Sequence, residues 1–450
     1  MSLCYSCNEE KCYAEKSELK RRDSYLNKLI AFRDTELVKV ITGVRRYGKS
    51  SLLKLMVNYL KDSGVDESQI IEMNFESFEF RRMTVEDFYF FVKGRVIANK
   101  KMYLFFDELQ RLDGWEDAVN SFRVDFDCDI YITGSNAYLL SSEYSTYLSG
   151  RYVEIKMFPL SFQEFIDFYD FKMIEVNTLF GNMKKQIVDK NDVHYDLTEI
   201  FDAYMNFGGM PGISDVGLDI DKALIFLDGI YSTVVVREIL ERKKRKGQKL
   251  ITDPILLNRI ILYLADNIGS NISVSTIGNI LVNEGLLNDE GRKGTPSAHT
   301  VQSYVNALKE SYFFYEIKRF DIKGKEYLRT LGKYYIVDVG LRNYLLGYRN
   351  RDLGHSLENI VFFELIRRGY DVAIGKVDNL EIDFIATKKD EKVYLQVTQS
   401  MVDENVKNRE LHPLIKVNDN HEKIVLSLDV GTSNYEGIKI INIIDWLVSQ

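Results

Sequence analysis

At 450 residues, with 45% hydrophobic and 28% charged side chains, the chain has an ordinary globular make-up and room for about three domains of usual size. A formal net charge of -8 excludes a uniformly basic nucleic-acid coat, so any contact with nucleic acid has to come from a local patch. Four cysteines exclude a disulfide framework, and no apolar run reaches the roughly 18 residues of a spanning helix, so the expectation is a cytoplasmic protein with no membrane partner.

Cys4, Cys7 and Cys12 are spaced C-x2-C-x4-C, which reads either as a partial zinc site or as a frayed terminus, because the first histidine is His194. Residues 18–32 repeat apolar positions at helical spacing and are expected to pack beside the strand that follows. That strand, 36–42 (ELVKVIT), runs into Gly43, Val44, Arg45, Arg46, Tyr47, Gly48, Lys49 and Ser50, which fit G-x-x-x-x-G-K-[ST] at every fixed position. Ser51 opens the amphipathic stretch behind it. A strand, a glycine loop and a helix in that order form a phosphate cradle. The glycines let backbone N–H groups converge, the helix N-terminus adds partial positive charge, Lys49 reaches the outer phosphates and the Ser50 hydroxyl ligates Mg²⁺. The bland alternative is a glycine turn before a helix.

A second strand is expected at 69–75 and a helix at 85–98, followed by the apolar strand 102–106 that ends in Asp107 and Glu108. In that position, Asp107 would hold Mg²⁺ through water and Glu108 would activate the water that attacks the γ-phosphate. The strand 129–133 (DIYIT) then leads to Ser135 and Asn136. Ligands of open α/β sheets lie at the carboxyl ends of the strands, so Asn136 is the candidate γ-phosphate sensor, with Ser135 the runner-up and a helix cap the alternative. Arg151 precedes the strand 152–157 and should therefore point away from its own phosphate loop. It reads either as an arginine finger for a neighbouring subunit or as a surface arginine.

The segments GVRRYGKSSLL, LFFDELQRLDGWEDAV, ITGSNAYLLSS and LSGRYVEIKMFPLSFQEF together resemble a bacterial and archaeal family of AAA+ ATPases related to the archaeal-type and STAND-like P-loop NTPases. The resemblance implies an α/β fold: an AAA+ core with a five-stranded parallel sheet and a central P-loop strand, then a helical lid, a winged helix and a C-terminal domain similar to PD-(D/E)xK nucleases. It also implies ATP and Mg²⁺ as ligands. The corresponding division of the chain is 1–32, 33–165 for the core, 166–250 for the lid, 251–350 for the winged helix and 351–450 for the nuclease-like domain.

Beyond the core, a helical region is expected from 161 past Asp192, interrupted by Gly208-Gly209-Met210-Pro211-Gly212. In related NTPases such a turn closes over the nucleotide, and a plain helix-breaking loop is the alternative. Arg242, Lys243, Lys244, Arg245 and Lys246 form the densest basic run, either a solvated helix face or a nucleic-acid contact. Helices at 254–267, 274–284 and 300–311 precede strand-like 313–320 and 326–328, the order of a winged helix. Thr300, Gln302, Ser303 and Lys309 would face a groove, flanked by Arg292, Lys293 and Lys323.

The helix 357–368 and the strands 380–386 and 393–398 carry the nuclease-like resemblance. Glu358 and Asp383 match two acids of the motif, whereas Gln396 and Thr398 stand where its third acid and its lysine belong. Lys407 could replace that lysine by migration, and Arg367, Arg368, Lys388 and Lys389 would flank a basic groove. The leading expectation is an ATP-hydrolysing, nucleotide-controlled DNA-binding or DNA-processing factor able to form a homo-oligomer. A signalling switch that binds a protein partner and an ATP-gated nuclease are the alternatives.

Overall fold

The computed structural model describes residues 19–134, 150–177, 183–234, 239–240, 251–283, 295–348 and 353–449. Cys4, Cys7, Cys12, Ser135, Asn136, the basic run Arg242, Lys243, Lys244, Arg245 and Lys246, and Arg292 and Lys293 lie outside the described residues.

After helix α1 (Asp23–Ala31), the first sheet contains β1 (Val38–Thr42), β2 (Ile70–Asn74), β3 (Met102–Asp107), β4 (Cys128–Gly134) and β5 (Tyr152–Lys156), all parallel, in the order β2-β3-β4-β1-β5. The middle strand is β4, which corrects the expectation that the P-loop strand is central; β1 lies one place in from the edge. Crossover helices α2 (Lys49–Asp62), α3 (Val85–Lys93) and α4 (Trp115–Asp125) cover the faces. Strand alternation divides the core between the two faces: Leu104 and Phe106 pack with Phe88, Trp115 and Phe122, while Tyr103 and Phe105 pack with Leu26, Leu52 and Met56. A sheet buried on both faces explains the near-continuous apolar strands and aligns the carboxyl ends of β1, β3 and β4 at one edge.

Helix α5 (Phe162–Phe168) opens on a capping box between Ser161 and Glu164. The expected helical region past Asp192 is instead an antiparallel meander of β6 (Lys172–Asn177), β7 (Met183–Val188) and β8 (His194–Asp196). Its β7–β8 turn is set by Asp189, whose carboxylate accepts the N–H groups of Asn191 and Val193. This local bonding favours a turn over a helix. Helices α6 (Leu197–Phe207), α7 (Ile213–Val216) and α8 (Ile220–Ser232) follow.

Helices α9 (Pro254–Asp266), α10 (Val274–Asn283) and α11 (Ala298–Glu310) pack together, with the short strand β9 (Asn271–Ile272) between the first two. The hairpin of β10 (Phe314–Asp321) and β11 (Glu326–Ile336) does not end at residue 328 as the sequence suggests but runs eight residues further. Helices α12 (Val339–Leu346) and α13 (Leu353–Arg367) then lead to β12 (Asp371–Val377), β13 (Leu380–Lys388) and β14 (Glu391–Val397). Helix α14 (Glu404–Lys416), β15 (Glu422–Ser427), β16 (Ser433–Tyr435), β17 (Ile438–Asn442) and α15 (Ile443–Val448) complete the described chain.

The hairpin is no free wing. Arg319, Phe320 and Asp321 of β10 pair in parallel with Ile374, Gly375 and Lys376 of β12, joining the hairpin to the C-terminal strands in one nine-stranded sheet, β16-β17-β15-β14-β13-β12-β10-β11-β9. One core cluster extends from Val44 and Tyr47 of the P-loop through α5, α6, α9 and α13 to Trp446. The phosphate loop is thus seated on the same apolar mass that supports the C-terminal sheet.

Candidate nucleotide-binding site

The loop after β1 adopts the curled shape its glycines permit. Gly43 has φ 138°, and a Cβ there would lie 2.5 Å from the Met157 carbonyl oxygen, so only glycine fits. Gly48, at φ 84°, is the N-cap of α2. Val44 and Tyr47 turn their side chains into the core, leaving their backbone for the cleft. Tyr47 is further held by Arg22, whose guanidinium donates to the carbonyls of Tyr47 at 3.2 Å and Phe158 at 3.0 Å while pairing with Glu164 at 2.7 Å. Arg46 turns outward over the Phe226 ring of α8, 5.6 Å from its centroid.

Lys49 curls back over the loop, donating to the Gly43 and Val44 carbonyls at 3.0 and 3.2 Å, with its ammonium 3.9 Å from Glu108 Oε1. Asp107 at the tip of β3 is fixed on both oxygens: the Thr133 hydroxyl donates to Oδ1 at 2.5 Å and Asn74 Nδ2 donates to Oδ2 at 3.1 Å. Glu108 follows in the left-handed region at φ 55°, its N–H donating to Thr133 Oγ1 at 3.0 Å and its carboxylate accepting from Gln110 at 2.6 Å. Thr133 therefore bridges both acids, a role missed in the sequence, where attention falls on the residues just beyond it.

A cleft of about 490 Å³ opens over this arrangement. Arg45, Arg46, Gly48, Lys49, Ser50 and Ser51 line one side with Glu76 and Glu108, and Pro211, Gly212, Ser214 and Asp215 close the other. The Gly208–Gly212 turn thus reaches the cleft through Pro211 and Gly212. Its Gly209 N–H donates to Asp338 at 2.7 Å, tying that turn to the N-cap of α12. Burial pushes the Asp338 carboxyl up to about 6.

Residues 35–166 match the AAA domain family, and residues 198–352 match a domain of unknown function. An uncharacterised protein of Haemophilus influenzae is 39% identical over 430 residues, spanning 95% of this chain and 98% of that protein. The chain belongs to this AAA-domain family. A second relative, an uncharacterised protein of Methanocaldococcus jannaschii, is 29% identical over 91% of this chain and 85% of its own length. A solved Walker-type ATPase of Pyrococcus abyssi aligns with 72% of this chain and 95% of its own at 16% identity, with a TM-score of 0.45. The AAA domain thus coincides with the sheet that carries the P-loop, Asp107 and Glu108.

Elsewhere in this AAA-domain protein the expected residues are dispersed differently. Arg151 is exposed at the amino end of β5, its carbonyl accepting the Val38 N–H at 3.0 Å. On α11, the Ser297 N-cap hydroxyl accepts the Thr300 N–H, Ser303 donates to the Thr300 carbonyl, Gln302 donates to Asn306, and Lys309 pairs with Glu316. Lys323 pairs with Asp378 at 2.5 Å.

The C-terminal motif holds the largest correction. Lys407 does not migrate into it but pairs with Glu404 on the surface of α14, at 3.4 Å. Lys333 of β11 enters instead. Its ammonium, 4% exposed, lies 2.8 Å from Glu381, 3.4 Å from Glu358 and 3.7 Å from Asp383. The charges of the cluster raise the Lys333 pKa despite its burial, and burial first, then Asp383, pushes Glu358 up to about 8. Gln396 accepts the Asp383 N–H at 2.7 Å and donates to Glu410 at 3.0 Å, so its amide is used in both senses. Thr398 is buried, its N–H spent on the Leu426 carbonyl. The donor set is poor for a divalent ion: Gln396 stands where an acid belongs, with its amide already bonded to Asp383 and Glu410, and the Lys333 ammonium supplies the positive charge among the carboxylates. Nor is the flanking groove as basic as expected: Arg367 and Arg368 both bind Glu364, Arg367 reaches the Pro159 carbonyl at 3.0 Å, and Lys388 donates to the Arg368 carbonyl.

Proposed function

We propose that the protein is a cytoplasmic ATPase whose nucleotide state controls a DNA-binding or DNA-processing C-terminal half. The observation that carries the ATPase part is that Lys49 and Glu108 line one cleft, 3.9 Å apart, while Thr133 bonds both the Asp107 carboxylate and the Glu108 N–H behind it. Ser50 and Asp107 are the residues that would hold Mg²⁺, which neutralises phosphate charge and orients the γ-phosphate. The loop N–H groups and Lys49 bind the phosphates. Glu108 accepts the proton of the attacking water as that water bonds to the γ-phosphorus and the bond to the ADP oxygen breaks.

Coupling is supported by shared contacts. The Gly208–Gly212 turn is bonded to Asp338, and the P-loop carbonyl at Tyr47 is bonded to Arg22, which shares the Pro159 carbonyl with Arg367 of α13. A change at the phosphates therefore has two bonded routes into the C-terminal half. The helix-strand-helix-helix-hairpin order of 254–336 supports a winged helix. Because its hairpin belongs to the nine-stranded sheet, we assign 251–350 and 351–449 to one working unit rather than two. Thr300, Gln302 and Ser303 remain the proposed groove-facing residues of α11, joined by the 242–246 run.

The test is an ATPase assay of the native chain, Lys49→Ala and Glu108→Gln, paired with duplex DNA binding at low salt with and without ATP. Phosphate contacts weaken steeply with salt, so binding that is insensitive to salt, or to nucleotide, removes the DNA part of this reading. The nuclease alternative is not adopted, since the third acid of its motif is the amide of Gln396, already bonded to the Asp383 N–H and to Glu410.

A further inference from the structure

Arg46 holds φ at 68°, in the left-handed region that glycine enters freely and an arginine rarely does. The strain points to the side chain as the reason for the residue. That side chain lines the nucleotide cleft. Of the other cations there, Lys20, Arg22, Arg45 and Lys49 each lie within 3.9 Å of a carboxylate. Arg46 pairs with no acid among the described residues; its guanidinium carbon stands 5.6 Å from the centre of the Phe226 ring.

Phe226 connects that cation to the opposite side of the cleft. Its ring lies so close on Gly212 that a Cβ there would collide with Phe226 Cζ, and Gly212 is itself a cleft residue. One ring on α8 thus meets the phosphate loop through Arg46 and the 208–212 turn through Gly212. A guanidinium is planar. Its face can rest on a ring while the N–H groups of its edge bind an anion, and a phosphate is an anion they match in pairs. Lysine, a point charge with its three donors on one atom, cannot divide face and edge in this way.

We propose that Arg46 is a positioning residue that clamps α8 to the phosphates of a bound nucleotide, with its edge on the phosphate chain and its face on Phe226. The phosphates supply the counter-charge that the other cations of the cleft find in acids. In the empty cleft α8 is held from this side by the cation–π contact alone, which is weak at an exposed arginine. The inference rests on the cleft being the nucleotide site, and it adds how occupancy of that site reaches the helices behind it.

The experiment titrates the full chain with fluorescent ADP and with a fluorescent non-hydrolysable ATP analogue, both with Mg²⁺, and follows amide hydrogen exchange over Ile220–Ser232 with and without saturating nucleotide. Nucleotide should slow exchange in α8 of the native chain. Arg46→Gly suits the left-handed backbone, so what it loses is the side chain. It should weaken both nucleotides about tenfold, the loss of one charge-assisted contact, and at saturation should leave α8 exchanging as in the empty protein. Phe226→Leu should also remove the slowing, and adding it to Arg46→Gly should lower affinity no further, because the two residues act on each other. Arg46→Lys should recover much of the affinity but not the slowing, which separates a clamp from a plain charge. An Arg46→Gly protein that binds both nucleotides as the native chain does, or whose α8 is slowed as in the native chain, overturns the proposal while leaving the nucleotide site standing. If neither nucleotide binds the native chain, or Lys49→Ala leaves both affinities unchanged, the reading of the cleft falls and takes this inference with it.

Discussion

Lys333 Nζ lies 2.8 Å from Glu381 Oε1, and this contact bonds the hairpin that follows the three helices to the strand that carries Asp383. The ammonium serves Glu358 and Asp383 as well, so one cation balances carboxylates from a helix and a strand that the sequence separates from it by many residues. Burial makes the arrangement all-or-none. Lys333→Met should destabilise the protein by about 3–5 kcal/mol, because it takes the counter-charge from the Glu381 and Asp383 carboxylates. Lys407→Met, at a surface pair, should change stability by less than about 0.5 kcal/mol. Urea unfolding of the two variants checks this, and equal midpoints would show that Lys333 is not the cluster's counter-ion.

The same cluster gives a pH dependence with a definite sign. Glu358 is raised from an ordinary 4.5 to about 8, chiefly by burial and then by Asp383. The folded state therefore keeps a proton that the unfolded chain has already lost. Stability from this group is fully present below about pH 4.5 and declines as pH rises toward 8. Glu358→Gln should flatten the stability profile between those limits, measured as unfolding midpoints across pH. A native profile that rises over this window with no change in the variant would contradict the assignment.

How much of this was legible in the chain depends on whether the chemistry is local. Lys49, Asp107 and Glu108 sit in short runs whose neighbours form the strand or loop that aims them, so spacing alone finds them. Thr133 could have been found as a polar residue in a strand next to the acids. Lys333 could not be placed by spacing, because its partners are reached only through the β10–β12 pairing that closes the nine-stranded sheet. The signal present was the run Tyr334 to Val337 directly behind it, an apolar stretch that continues β11 and marks Lys333 as a buried strand lysine. The meander at 172–196 was missed for a different reason: its three short strands bury few side chains, so neither period stands out, and the Asp189 turn decides the matter.

In the cleft, Lys49→Ala should abolish nucleotide binding, whereas Glu108→Gln should bind ATP normally and hydrolyse it about 10² times more slowly or worse. Thr133→Val adds a sharper variant. It removes the hydroxyl that donates to Asp107 and accepts from the Glu108 N–H, at nearly constant volume. Hydrolysis should fall while nucleotide affinity holds, since Lys49 and the loop N–H groups are untouched. Single-turnover hydrolysis and equilibrium titration separate the two effects. A native turnover rate in Glu108→Gln would remove Glu108 from the water-activating role.

Arg151 tests whether the site is completed by a second copy. It stands at the amino end of β5, while the phosphate loop leaves the carboxyl end of the neighbouring β1, and the two strands are paired in parallel over Val38–Thr42 and Tyr152–Lys156. At about 3.3 Å per residue, five paired residues put roughly 16 Å of sheet between that arginine and its own loop, beyond the reach of its side chain. It is exposed, and Arg123 lies near enough that the two like charges disfavour each other, lowering the pKa of Arg123 after the larger effect of its burial. An anion brought by another subunit would relieve that repulsion. If Arg151 completes a neighbour's site, turnover per subunit should rise with protein concentration, and Arg151→Ala mixed with Lys49→Ala should recover activity. The recovery comes from mixed pairs in which an intact P-loop faces an intact Arg151. A rate independent of concentration, together with a mixture no more active than its two components, would confine Arg151 to a surface role and leave hydrolysis to the single chain.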